Sequence, residues 1–119
     1  GNKSQIGNFV EIKNSNIGES CQVNHLSFIG DADIDKEVIV GASVITCNHD
    51  GAKINRLIIE QGAYIGSGSN LVAPLKIKAN STIGAGSTIT EDTPKNTLTV
   101  ARSRQVSIKG WKGKRTKNE

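Results

Sequence analysis

Aliphatic residues in this chain recur every six positions. From Ile59 onward the marks fall at Ile59, Ile65, Leu71, Ile77, Ile83 and Ile89 without a slip. Earlier marks, at Ile6, Ile12, Ile17, Val23, Ile29, Ile34, Val40 and Ile45, mix steps of six with steps of five. Neither the 3.6-residue period of a helix nor the alternation of an ordinary strand gives this spacing. A small residue follows many marks at the fourth position: Cys21 after Ile17, Ser27 after Val23, Ser69 after Ile65, Ser87 after Ile83. A unit of six fits one short strand plus one tight corner. Three units make a triangular coil of about 18 residues, and coils stack at roughly 4.8 Å. Each recurring aliphatic is expected to point into the prism, where its burial contributes about 1.5–3 kcal/mol. Residues 6 to about 94 therefore predict an all-β, single-stranded parallel β-helix of some five coils. The hexapeptide kind is left-handed, a property of the repeat class that spacing alone does not supply.

Composition agrees with a narrow prism. Of 119 residues only Phe9, Phe28, Tyr64 and Trp111 are aromatic. The length suits one domain. No apolar run approaches the roughly 18 residues of a membrane span and no charged-then-apolar leader opens the chain, so neither a membrane partner nor secretion is expected. A chain opening on Gly1 reads as a fragment. Cys21 and Cys47 lack any CxxC spacing, which points to free thiols in a reducing cytoplasm, with Cys21 buried at an inward small-residue position.

The charge is divided. From Arg102 to Glu119 there are seven basic residues and one acid, whereas the remainder of the chain holds eight bases and ten acids. The boundary expected is a β-helix over 1–101 and a basic tail over 102–119, extended or partly disordered with room for one helical turn. That tail reads either as a solvated segment or as an anion site for phosphorylated ligands. With Trp111 alone in the tail and no stacking aromatics interleaved elsewhere, nucleic-acid recognition has little support.

The interval from Ile45 to Ile59 overshoots two repeats and marks a loop thrown out near Cys47–Arg56. It reads as a binding loop or as a tolerated insertion. Only two histidines are present. His25 follows the inward Val23 by two positions and is expected at a corner, facing outward; His49 lies in the loop. Glu11 precedes His25 by close to one short coil, so the two are expected to stack, the carboxylate orienting the imidazole as a general base. Two histidines without spaced partners do not make a zinc site, and no metal is expected.

Longer strings carry a resemblance. Gly7-Asn8-Phe9-Val10-Glu11-Ile12-Lys13, Asn24-His25-Leu26-Ser27-Phe28-Ile29-Gly30-Asp31-Ala32, Thr46-Cys47-Asn48-His49-Asp50-Gly51, Leu71-Val72-Ala73-Pro74, and Ala101-Arg102 with Gly110-Trp111 resemble the C-terminal acetyltransferase domain of a bacterial bifunctional family. That family joins N-acetylglucosamine-1-phosphate uridylyltransferase to glucosamine-1-phosphate N-acetyltransferase. The resemblance runs from residue 7 to about residue 112; the uridylyltransferase domain is absent from these residues.

The resemblance implies acetyl transfer from acetyl-CoA to the amine of glucosamine-1-phosphate, on the route to UDP-N-acetylglucosamine for cell-wall precursors, by a homotrimer whose neighbouring prisms build each cleft. It implies His25 as the base, Glu11 as the group that orients it, and Lys13 at the sugar phosphate. It implies Asn48 at the sugar and acetyl group, and Ala42, Asn48, His49, Ser67, Ala85 and Arg102 at the cofactor. Three positions depart from the family: Phe28 and His49 stand where it has Tyr, and Ile39 where it has Asn. Two other readings stay open, an acetyltransferase for a different amino sugar and a non-catalytic β-helix that serves trimerisation.

Overall fold

The computed structural model describes residues 1–113. These hold fifteen strands of two or three residues, wound into a parallel β-helix of about five turns, of the left-handed hexapeptide kind. The first face stacks β1 (Gln5–Ile6), β4 (Gln22–Val23), β7 (Ile39–Val40), β10 (Tyr64–Ile65), β13 (Thr82–Ile83) and β15 (Leu98–Thr99). The second stacks β2 (Glu11–Lys13), β5 (Phe28–Gly30), β8 (Ile45–Cys47), β11 (Asn70–Val72) and β14 (Thr88–Ile89). The third stacks β3 (Asn16–Ile17), β6 (Ala32–Ile34), β9 (Leu57–Ile59) and β12 (Leu75–Ile77). No helix long and apolar enough to cross a membrane occurs among the described residues.

Register makes the core. Ile6, Val23, Val40, Ile65 and Ile83 form one inward column on the first face. Ile17, Ile34, Ile59 and Ile77 form another on the third. Ser27, Ser69 and Ser87, the small residues after the marks, are buried. Their hydroxyls meet the neighbouring coil: Ser27 Oγ donates to the Gly41 carbonyl at 3.1 Å and accepts from the Val44 N–H at 3.1 Å. A hydroxyl is thus tolerated in the prism because it finds backbone partners within it.

Three details differ from the sequence reading. Thr46, not Ile45, points inward on the second face: Leu71 pairs with Thr46 and Phe28 with Ile45, because the coil before the loop is one residue longer than aliphatic counting assumes. Thr46 is 4% exposed, and its hydroxyl is satisfied by the Gly30 N–H at 2.8 Å and the Asn48 Oδ1 at 2.8 Å. Ile6 points inward but stays 47% exposed, since no described coil lies beyond it. Inward marks continue past Ile89 as Thr93, which bridges Ile77. The loop enlarges a single corner, so the step from Val40 to Ile65 on the first face takes in more chain than the step from Val23 to Val40, yet both pairs stay in register.

After Thr99 the described tail forms no helix, only a turn at Lys109–Gly110. Val106, Ile108 and Trp111 are exposed there. The basic residues Lys114, Arg115 and Lys117 lie outside the described residues. Both cysteines are free, Cys21 buried and Cys47 exposed.

Candidate active site

The corner between first and second faces repeats in every coil. Asn8, His25, Ala42, Ser67 and Ala85 each follow the inward residue of the first face by two positions, so register stacks them along one edge of the prism. The next residue is left-handed in each coil: Phe9 (φ 57), Leu26 (φ 63), Ser43 (φ 59), Gly68 (φ 74) and Gly86 (φ 73). That conformation turns the corner and aims an N–H at the adjacent rung, Leu26 to the Asn8 carbonyl and Ser43 to the His25 carbonyl. Glycine precedes four of the stacked positions for lack of room. A Cβ on Gly7 would lie 2.6 Å from His25 Nδ1, and one on Gly66 would lie 2.5 Å from the Ala85 nitrogen.

His25 stands outside the prism on this edge. Its Nδ1 accepts the Asn8 backbone N–H at 2.8 Å. Because an amide N–H can only donate, Nδ1 is the unprotonated nitrogen, and the neutral ring carries its proton on Nε2. The expected stack of Glu11 on His25 does not form. Register puts Phe28 over Glu11, because a full coil is longer than the interval from Glu11 to His25, and no hydrogen bond joins Glu11 to His25 among the described residues. Further along the edge, Ser67 Oγ accepts the Ala42 N–H at 3.1 Å. Arg102 donates from Nη1 to the Ala85 carbonyl.

Across the second face, about 10 Å from this edge by strand geometry, lies a cleft of about 380 Å³. Lys13, Phe28 and Asp31 form its prism wall, Thr46 its floor, and Cys47, Asn48, His49 and Ile54 its loop wall. The Phe28 ring covers Gly30, where a Cβ would lie 2.8 Å from Cε2. Asp31 accepts from Asn14 Nδ2 at 2.6 Å. One cation and one carboxylate therefore face a partly apolar cleft, an arrangement that suits a ligand carrying both an anion and hydrogen-bond donors.

The loop is organised from within. Asp50 accepts from the N–H groups of Ala52 and Lys53, both at 2.8 Å, and from Asn55 Nδ2 at 3.0 Å. These bonds, the Lys53 N–H first, then the Asn55 side chain and the Ala52 N–H, hold the Asp50 carboxyl at about 2. Asn48 is nearly buried and spends its amide locally, Nδ2 on the Asn55 carbonyl at 3.0 Å and Oδ1 on Thr46. His49 Nδ1 accepts the Gly51 N–H at 3.0 Å. At the loop's exit Arg56 pairs with Asp33 at 2.9 Å. Its guanidinium, followed by the Asn16 amide, holds Asp33 at about 2, and Arg56 is itself raised by that bond.

The site residues named from sequence thus fall into two groups. His25, Ala42, Ser67, Ala85 and Arg102 share the corner edge; Lys13, Asn48 and His49 share the cleft; Glu11 stands apart from both on the outer surface of β2. Sequence reasoning marked Phe28 only as a departure on the acceptor side and Arg56 only as the end of the loop, and it gave Asp31 and Asp33 no place at the site. The available signal was strand alternation, which turns Phe28 outward beside the inward Ile29. Among the described residues no group of His, Cys, Asp and Glu side chains could hold a metal ion.

The prism and its cornered edge define a hexapeptide-repeat β-helix protein, and solved structures share this fold. A maltose O-acetyltransferase from Clostridium difficile superposes with a TM-score of 0.72 at 23% identity, covering 82% of this chain and 62% of that one. A hexapeptide-repeat containing acetyltransferase from Vibrio cholerae gives 0.70 at 18% identity, covering 82% and 68%. No family model matches the chain. Curated relatives are much nearer in sequence. The bifunctional protein GlmU of Methylococcus capsulatus is 60% identical over 107 residues, 90% of this chain and 23% of that protein. The GlmU of Thermotoga maritima is 57% identical over 116 residues, 98% of this chain and 26% of that protein. The chain spans about a quarter of the length of these relatives, and over that span it is similar to the GlmU proteins.

Proposed function

We propose that this chain transfers the acetyl group of acetyl-CoA to the amine of glucosamine-1-phosphate. One observation carries the reading: His25 shares a prism edge with Ala42, Ser67 and Ala85, directly across the second face from a cleft holding Lys13, Asn48 and His49. Small side chains on that edge let an extended cofactor arm approach the backbone. The N–H groups of Ser67 and Ala85 have no partner among the described residues, so they are free to bind its amide carbonyls. Three rungs separate His25 from Ala85, about 14 Å at ordinary strand spacing. Arg102 at the far rung supplies a cation for the cofactor's phosphates. Lys13 takes the sugar phosphate as a point charge, and the loop wall at Asn48 and His49 closes on the sugar.

In this reading the sugar amine attacks the thioester carbon. The C–N bond forms, the C–S bond breaks, and the amine's surplus proton passes to His25 Nε2 before the coenzyme A thiolate is protonated. Nε2 accepts only if the proton of the resting ring moves to Nδ1, so the ring must release the Asn8 N–H. Glu11, on the preceding coil and across the corner, is the carboxylate available to hold Nδ1–H.

An outward edge on a convex prism needs a second wall, which a homotrimer supplies. Ile39, Tyr64 and Leu98, exposed on the outer surface of the first face, offer apolar contact for it. A reducing cytoplasm, where Cys47 stays a thiol, is the fitting compartment. The test is release of free thiol from acetyl-CoA in the presence of glucosamine-1-phosphate. His25→Ala should lower it by about 10²–10⁴-fold; an unchanged rate would refute the assignment.

A second acceptor is favoured by one feature. Phe28 presents a ring without a hydroxyl to the cleft, removing a donor that a sugar phosphate could use. A screen of amino sugars with and without phosphate separates the two: faster transfer to an unphosphorylated amine would favour the second.

A further inference from the structure

The loop that walls the cleft touches the prism through few side chains. Residues 49–55 hydrogen-bond only within the loop or to Asn48, among the described residues. Arg56 is different. Its Nε donates to Asp33 Oδ2 at 3.0 Å and its Nη2 to Asp33 Oδ1 at 2.9 Å, a two-pronged pairing with the second coil. Nη1 reaches past it to the Asn14 carbonyl at 3.1 Å, on the first coil, and Nη2 also meets the Ala32 carbonyl at 3.4 Å. Asp33 is itself oriented by Asn16 Nδ2 at 2.7 Å. One guanidinium thus joins the exit of the loop to two earlier coils, over a sequence separation of 42 residues at its longest reach.

We propose that Arg56 is a positioning residue for the acceptor: clamped by Asp33 and the Asn14 carbonyl, it holds the 48–56 loop at the distance from Lys13 and Phe28 that the acceptor requires. This rests on the acetyl-transfer reading of the same cleft. Arg56 and Asp33 do not line the cleft and touch no reacting atom. Their side chains are 41% and 45% exposed, and an ion pair so exposed adds little to global stability. What it supplies is geometry, since a planar fork fixes both direction and distance while an ammonium would fix neither. The loop's neck transmits this to the cleft: the Asn55 N–H, next to Arg56, bonds the Asn48 carbonyl at 2.7 Å, and Asn48 and His49 are cleft wall.

The experiment compares Arg56→Gln, Asp33→Asn, their double variant and Arg56→Lys in the full chain. Each single variant is expected to raise the acceptor KM by about tenfold, leaving kcat and the acetyl-CoA KM within about twofold. The double variant should be no worse than either single one, and Arg56→Lys should recover only part of the loss. Melting temperature should fall by no more than about 5 °C. Hydrogen exchange at the Asn55 amide should quicken in both single variants. An unchanged acceptor KM overturns the proposal, as does a fall in kcat and melting temperature together, which marks a merely structural role. If the unmodified protein acetylates no amino sugar, the acetyl-transfer reading fails, and exchange alone decides the clamp: faster upholds it, unchanged overturns it.

Discussion

The backbone N–H of Asn8 donates to Nδ1 of His25 at 2.8 Å, so the resting imidazole presents a proton, not a lone pair, at Nε2. Nitrogen-15 NMR of the protein without ligands should show the Nε2–H tautomer. Addition of acetyl-CoA with an unreactive acceptor should shift the population toward Nδ1–H. A resting ring already protonated at Nδ1 would remove the need for any ring movement. Glu11→Gln should then slow transfer without changing the resting tautomer, because no hydrogen bond joins Glu11 to the ring among the described residues.

Thr46 is the one polar residue in the inward column of the second face among β2, β5, β8, β11 and β14. Thr46→Val keeps the shape and removes the partner of both the Gly30 N–H and the Asn48 Oδ1. Leaving such buried groups unpaired costs about 1–3 kcal/mol. Chemical denaturation should show that loss. Acceptor KM should rise as well, because Asn48 loses an anchor. A variant as stable as the parent would show that the hydroxyl is not needed at this depth.

Acid should weaken the loop through two carboxylates. Asp33 and Asp50 are held at about 2 against an ordinary value of 3.8. A group lowered on folding binds its proton first in the unfolded chain, so its contribution is intact above about pH 4 and fades as pH falls through about 2. Both carboxylates are exposed, so solvent screening keeps the effect small: thermal melts between pH 5 and 2 should fall slightly with pH, and less so in Asp33→Asn. The same slope in parent and variant would count against the pairing with Arg56.

Cys47 is exposed in the cleft wall and Cys21 is buried in the core. A maleimide should label Cys47 alone in the folded protein, block transfer, and be slowed by bound acceptor. Mass spectrometry after brief exposure reads the site directly. Labelling of Cys21 under native conditions would mean that the first coils open readily.

The run from Ile59 to Ile89 was legible because every coil there follows the same geometry, so hydrophobicity and register coincide. They part at Ile45 and Thr46. Aliphatic counting favours isoleucine, while the longer coil carries threonine inward and satisfies its hydroxyl by bonds that a sequence does not display. The same miscount of coil length placed Glu11 beneath His25. The corner edge was recoverable, since Ala42, Ser67 and Ala85 share one offset from inward marks. The Asp33–Arg56 pairing was not: its partners lie 23 residues apart, and nothing local in either segment signals the other.

Each rung bonds to the one before it and the one after it, and to little else. Such a chain behaves as a one-dimensional array whose stability accrues step by step from nearest neighbours. Excising one whole turn as a block, residues 66–83 for example, would leave the remaining steps able to rejoin in phase. The protein would survive as a shorter tower, but Ser67 would be lost, and any molecule measured against this edge would find its anchor one storey nearer.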